Sequence, residues 1–213
     1  MTDSSAVEKV DQLQAEIKRL KRDNEKLRAS NRRWMRIAGT DALTGLPNKV
    51  FFTTALLPQF ISQANAESVP FSCLILGPDG LGEINQRHGR EGGDQIVKEM
   101  ATFLKENLEK GERLVHFDGA NFVIMIPVGD LSVAKRRVLA LRARVLSRPF
   151  PCGGEGVNLT ICLGSVARSP DSPESPSDPK EVIETFVNKL TAALDQAKKQ
   201  GPDKQVEDPD TEF

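Results

Sequence analysis

Residues 113–127 read RLVHFDGANFVIMIP, and the fold can be worked outward from them. Two apolar runs, 114–117 and 122–126, flank DGAN, in which Asp118 and Gly119 tolerate the backbone of a tight turn. The stretch predicts a β-hairpin with its tip at Asp118 and Gly119. Residues 71–76 (FSCLIL) and 157–162 (VNLTIC, continuing through Val166) are further strand candidates. Helical patterns fill the gaps over residues 49–64, 92–108, 131–146 and 179–199. Alternation of this kind predicts an α/β domain around one central sheet.

The flanks differ in character. Residues 168–179, RSPDSPESPSDP, set repeated prolines, which cannot donate a backbone hydrogen bond, among small polar side chains, and predict a flexible surface loop. After Gly201 the acidic PDKQVEDPDTEF has the composition of a disordered end. At the other end, Val10, Leu13, Ile17, Leu20, Asn24, Leu27, Asn31 and Trp34 recur at alternating spacings of three and four, a heptad seam. With Val10 at position a, Ile17 also falls at a and Leu13, Leu20 and Leu27 at d, a choice that favours two parallel strands. Asn24 and Asn31, also at a, would each hydrogen-bond its twin and fix the register. Across such a pair Glu16 faces Lys21 and Asp23 faces Arg28, both opposite in sign. The expected organisation is a dimerising coiled-coil helix over 1–38, a globular domain over 39–201 and a disordered acidic tail over 202–213.

With 213 residues, 38% of them hydrophobic, the chain has room for one core plus extensions. A net charge of -1 argues against a protein whose task is to neutralise nucleic-acid phosphates. No run approaches the length of a membrane span, and MTDSSAVEKVDQ lacks the order of a secretory signal, so a cytoplasmic location is expected. Cys73, Cys152 and Cys162 form no CxxC pair and predict neither a disulfide framework nor a zinc site. His88 and His116, the only histidines, have no second ligand type at metal spacing and are read as non-catalytic.

Four collinear segments resemble the GGDEF family of bacterial diguanylate cyclases. Residues 41–48, DALTGLPN, resemble the opening DxLTGLxN signature. Residues 74–94, LILGPDGLGEINQRHGREGGD, align without gaps on the strand and loop that carry D-[IV]-D-x-F-K and end in GD. The hairpin of residues 113–127 matches the one that bears RxGGDEF, with Asp118, Gly119, Ala120, Asn121 and Phe122 in the signature positions. LTICLGSVA at 159–167 and AALDQAKKQG at 192–201 resemble the closing strand and helix. The resemblance implies a nucleotide-cyclase-like α/β (α+β) fold, a central, mostly antiparallel sheet flanked by helices, here preceded by a parallel dimeric coiled-coil helix.

Members of this family join two GTP molecules into cyclic di-GMP, chemistry that relies on positioning and on magnesium held by hard carboxylate oxygens. By the resemblance, one metal carboxylate would stand at Gly77 and another at Ala120, while a catalytic acid would stand at Asn121. Asp118 replaces a glycine beside the phosphates. The expectation is an inactive signature, with no catalytic and no metal-binding residue, no resident cofactor, and magnesium only as a companion of bound GTP. Rescue by Asp79, two residues from Gly77, is disfavoured because its side chain need not point the same way.

Asn85 and Asp94 fall on guanine-reading positions and Lys198 on a phosphate-binding one, although helix capping explains the first two equally well and a solvated helix face explains the third. The lysine of F-K is Gly82 and the closing arginine is Pro202. The inhibitory RxxD site falls on Glu109 and Glu112, which disfavours cyclic di-GMP there. The expected function is a regulatory homodimer in a cyclic di-GMP-related system, acting through an unidentified protein partner with GTP as a candidate ligand. A scaffold without nucleotide binding and, less favoured, an active cyclase are the alternatives.

Overall fold

The computed structural model describes residues 3–169 and 179–207. They divide into two units, Met1–Gly39 and Thr40–Phe213. The first is a single helix, α1 (Asp3–Ala38). Leu13, Ile17, Leu20 and Leu27 are between 51% and 70% exposed on it, so these four seam side chains are not buried within the unit. An ion pair from Arg19 to Asp23, at 3.8 Å, lies along the helix. Val10 and Asn31 of the expected seam lie outside the residues whose side chains are described.

In the second unit, β1 (Phe71–Pro78), β2 (Arg113–Asp118), β3 (Asn121–Ile126), β6 (Ile161–Arg168) and β7 (Gln205–Glu207) form one sheet in the order β2-β3-β1-β6-β7. All contacts in it are antiparallel except β6 with β7. A separate two-stranded hairpin is made by β4 (Phe150–Cys152) and β5 (Glu155–Val157).

Every residue of β1 is buried, because helices cover both faces of the sheet. Phe71, Cys73 and Ile75 face a cluster with Phe52, with Leu57 of α3 (Leu57–Glu67) and with Phe186, Leu190 and Leu194 of α6 (Pro179–Lys199). Leu74 and Leu76 face the opposite cluster, with Met100 and Leu104 of α4 (Leu81–Glu106) and Val138 and Leu141 of α5 (Leu131–Leu146). Each fully buried aliphatic side chain contributes about 1.5–3 kcal/mol, less its ordering entropy. Gly164 in β6 permits the tight docking of α6: a Cβ there would stand 2.6 Å from the Leu194 nitrogen and 2.8 Å from the Ala193 Cβ.

Several expectations need correction. Residues 81–88 are helical: α4 begins at Leu81 and bends at Gly89, whose φ of +71° is outside the helical range. Four glycines between 82 and 93 conceal this helix from propensity, and the burial of Ile84 and Ile96 holds it. The strand expected over 157–166 is two elements, since Val157 pairs with Phe150 in the small hairpin and the sheet strand starts at Ile161. The turn of that hairpin is Gly153–Gly154, both at positive φ. Helix 49–64 is α2 (Lys49–Phe51), a π-turn Phe52–Leu56 and α3, which runs on to Glu67.

The tail expected to be disordered from 202 begins as structure. Gln205–Glu207 is a parallel edge strand, tied by Lys135–Glu207 at 2.9 Å and by an Arg142–Asp203 ion pair. Residues 208–213 and most of the proline-rich segment, 170–178, lie outside the described residues. Among the described residues no helix is long and apolar enough to cross a membrane.

Candidate functional site

The segment 41–48 is organised by Asp41. Its Oδ1 accepts hydrogen bonds from the Leu43 nitrogen (3.1 Å), the Thr44 nitrogen (2.9 Å) and the Thr44 hydroxyl (2.8 Å), closing a turn in which Gly45 takes a φ of +69°. Leu46 enters the core. Asn48 then caps α2 by accepting from the Phe51 nitrogen at 3.0 Å.

This turn grips the hairpin through His116. The buried imidazole has Nδ1 2.7 Å from Asp41 Oδ1 and Nε2 2.9 Å from the Gly119 carbonyl oxygen, and it stacks on Phe122 with ring centroids 4.9 Å apart. The His116 nitrogen also donates to the Pro47 carbonyl at 2.8 Å. His116 therefore joins the signature turn to the hairpin tip, a positioning role that its sequence position alone did not disclose. Burial pushes the Asp41 carboxyl up, but the hydrogen bonds from His116 and Thr44 outweigh it and hold the group below the ordinary carboxylate range. A depressed folded-state value stabilises the fold above the unfolded-state value and ceases to do so as pH falls through the folded one. The Tm of the wild type should therefore exceed that of Asp41→Asn near neutrality, with the gap closing in acid. A gap that is constant across pH would remove Asp41 ionisation from the account.

At the hairpin tip Gly119 and Ala120 make the turn, with Asp118 paired to Asn121 across it and a bulge between His116 and Asp118. Asn121 donates from Nδ2 to Asp118 Oδ1 at 2.7 Å and accepts at Oδ1 from Lys198 Nζ at 2.9 Å. Asp118 Oδ2 is also 3.7 Å from Lys49 Nζ, which lies over the Phe117 ring. Lys49, Asp118, Asn121 and Lys198 thus form a continuous chain of polar contacts that ends beside β1 at Gly77. A Cβ on Gly77 would stand 2.3 Å from Asn121 Oδ1 and 3.5 Å from Lys198 Nζ. The carboxamide fills the space that a side chain at position 77 would need.

Asp79 is directed elsewhere. Its Oδ2 accepts from the Thr160 hydroxyl at 2.6 Å and from the Asp203 nitrogen at 2.9 Å, fastening the segment that leads into β7. Among the described residues no cluster of three His, Cys, Asp or Glu side chains is arranged to hold a metal ion.

Asn85 is brought close to the backbone beside Asp94. The bend at Gly89 folds the first half of α4 back, so that Asn85 Oδ1 lies 1.9 Å from where a Gly93 Cβ would be, one residue from Asp94. Neither residue caps the helix, whose N-cap is Gly80. Lys198 is exposed and donates to Asn121 from the end of α6.

Glu109 and Glu112 separate. Glu112 is buried and forms a two-pronged pair with Arg137, at 2.7 Å to Nε and 2.8 Å to a terminal nitrogen, while Glu109 stays largely exposed 3.6 Å from the same guanidinium. Of the two glutamates on the RxxD positions, one is thus paired inside the core.

A five-stranded, mostly antiparallel sheet with this hairpin beside the end of β1 defines a nucleotide-cyclase-like α/β domain. The family model described as diguanylate cyclase, GGDEF domain, matches residues 38–204, and the chain belongs to that family. It is 27% identical to diguanylate cyclase DgcP of Pseudomonas aeruginosa over 165 residues, 78% of this chain and 23% of that protein. It is similar in fold to the coiled coil and GGDEF domain of DgcB from Caulobacter crescentus in complex with c-di-GMP, with a TM-score of 0.69, 22% identity, and 92% of this chain and 98% of that one covered. Diguanylate cyclase SiaD in complex with its activator SiaC, from Pseudomonas aeruginosa, matches with a TM-score of 0.65 and 22% identity over 96% of this chain and 75% of that one. The chain spans less than a third of the length of the curated relatives named diguanylate cyclase DgcP and response regulator PleD, 23% and 32% respectively.

Proposed function

We propose that this chain is a GGDEF-fold signalling module that does not make cyclic di-GMP and works as a regulatory dimer in contact with a partner protein. The observation that carries this reading is the Asn121 carboxamide seated over Gly77 and held by Lys198. A divalent cation for phosphoryl transfer needs ionised oxygens in that space. It finds a neutral amide, an ammonium group and no side chain on residue 77. The residues present do not fit magnesium, and no catalytic step is assigned to them.

Dimerisation is assigned to α1, whose exposed seam of Leu13, Ile17, Leu20, Asn24 and Leu27 keeps heptad spacing. An isolated helix gains little from propensity, so a seam of this kind is stabilised by a second copy. Ile17→Lys with Leu20→Lys should halve the mass seen in analytical ultracentrifugation, whereas an unchanged mass would remove α1 from the interface. SiaD, similar in fold, has been crystallised with an activator protein, which makes a protein partner a reasonable class of effector.

Guanine nucleotide remains a candidate ligand because Asn85 packs against Gly93, next in the chain to Asp94, and a carboxamide and a carboxylate are groups able to read a guanine edge. The test is incubation of the purified chain with GTP and magnesium or manganese, assaying cyclic di-GMP and nucleotide-dependent thermal stabilisation together. Product overturns the reading. Stabilisation without product supports a nucleotide-responsive regulator, and neither supports a protein-binding scaffold.

A further inference from the structure

The outer face of α5 carries an exposed apolar stripe. Among the described residues of the second unit, the exposed large apolar side chains are Val50, Val128, Leu139 and Leu146, and the last two lie two turns apart on α5, 59% and 50% exposed. Arg136, Leu139, Ala143 and Leu146 follow one another at spacings of three, four and three, and all four are exposed. Leu139, Ala143 and Leu146 keep the spacing used in knobs-into-holes helix packing, with the small Ala143 allowing close approach.

The inner face of the same helix is immobilised. Ala134, Val138, Leu141 and Val145 are fully buried, and Arg137 is locked to Glu112. Flanking ion pairs from Lys135 to Glu207 and from Arg142 to Asp203 anchor α5 to the segment around β7. The exposed stripe therefore sits on a rigid support, and an incoming helix meets a surface already ordered.

Charge selects the occupant. α5 contains Lys135, Arg136, Arg137, Arg142 and Arg144 and no acidic residue. Glu112, Asp203 and Glu207 neutralise Arg137, Arg142 and Lys135, which leaves Arg136 at the N-terminal end of the stripe, with the helix-capping Asp130 near it, and Arg144 beside the stripe, donating to the neutral Asn107 carboxamide. A second copy of α5 would bring like charges together, which disfavours self-association through this face. We propose that the stripe Arg136, Leu139, Ala143, Leu146 docks an amphipathic helix of a partner protein, apolar along one seam and flanked by Asp or Glu. The proposal rests on the reading of the chain as a protein-interaction module.

The test uses the full chain and two synthetic helical peptides with leucines at alternating spacings of three and four, one flanked by glutamates and the other by lysines. Fluorescence anisotropy should show binding of the glutamate peptide alone, weakening as salt is raised. Leu139→Glu with Leu146→Glu should reduce it by about tenfold or more, and the milder Leu139→Ala with Leu146→Ala should reduce it with circular dichroism unchanged. Equal binding of both peptides, no binding, or binding indifferent to the substitutions would overturn the proposal, as would a change of oligomeric mass in the variants, which would make a second copy the occupant. These outcomes are separate from the cyclase assay: product there overturns the proposed function, whereas failure of the peptides leaves it standing.

Discussion

Supplied with GTP and either magnesium or manganese, the purified chain is expected to yield cyclic di-GMP at a rate at least about 10³-fold below that of a catalytically competent relative, the cost of losing even one strong transition-state contact. On the proposed reading the metal carboxylates and the catalytic acid would stand at Gly77, Ala120 and Asn121, none of which carries a carboxylate. Geometry sharpens the expectation. Gly77→Asp alone should not restore activity, because its Cβ would meet the Asn121 Oδ1 at 2.3 Å and the carboxylate would have to displace the amide from Lys198. That substitution should instead lower stability by about 1–3 kcal/mol, as overpacking does, read as a fall in Tm. A gain of cyclase activity in Gly77→Asp alone would show that the amide yields readily and would undo the argument from occupied space.

The second large effect is expected at Arg137. Its side chain and that of Glu112 are only 4% and 3% exposed, and the guanidinium also reaches the Asn107 carbonyl. Removing one partner of such a pair leaves a buried charge without compensation, which costs about 3–5 kcal/mol. Arg137→Ala and Glu112→Ala should each lower Tm by roughly 10 °C, given about 2–4 °C per kcal/mol for domains of this size. The double change Arg137→Met with Glu112→Leu should recover much of the loss, since apolar groups of similar volume often replace a buried pair without penalty. Additive losses in the double variant would mean that the pair is not coupled. The result bears on function because this position coincides with the RxxD site of the resemblance: the chain has turned it into a fastening between the start of β2 and α5.

Much of the fold was legible from local pattern. The hairpin of residues 113–127 declared itself through two apolar runs around DGAN, and α5 and α6 through apolar spacing with polar ends. The misreadings have a common cause. In residues 81–93 the glycines that allow the bend at Gly89 and the approach of Asn85 to Gly93 are those that lower helix propensity. At 205–207 three residues of an acidic tail carry no strand signal of their own and become a strand because β6 offers an open edge.

The site divides in the same way. The absence of carboxylates at residues 77, 120 and 121 is a matter of residue identity and needs no coordinates. What stands in their place depends on parts of the chain far apart in sequence. Asn121 meets Gly77 and Lys198, His116 meets Asp41, and Glu112 meets Arg137.

The sequence by itself determined most of the elements, the family resemblance, the heptad spacing of α1 and the absence of carboxylates at residues 77, 120 and 121, because each resides in residue type and local periodicity. Only the tertiary structure decided that Asn121 closes the space over Gly77, that one of two adjacent glutamates is buried and paired, and that α5 presents a basic, apolar outer stripe. Those outcomes depend on which side chains the sheet and its helices bring within a few ångströms, and sequence spacing carries no information about distances across a fold.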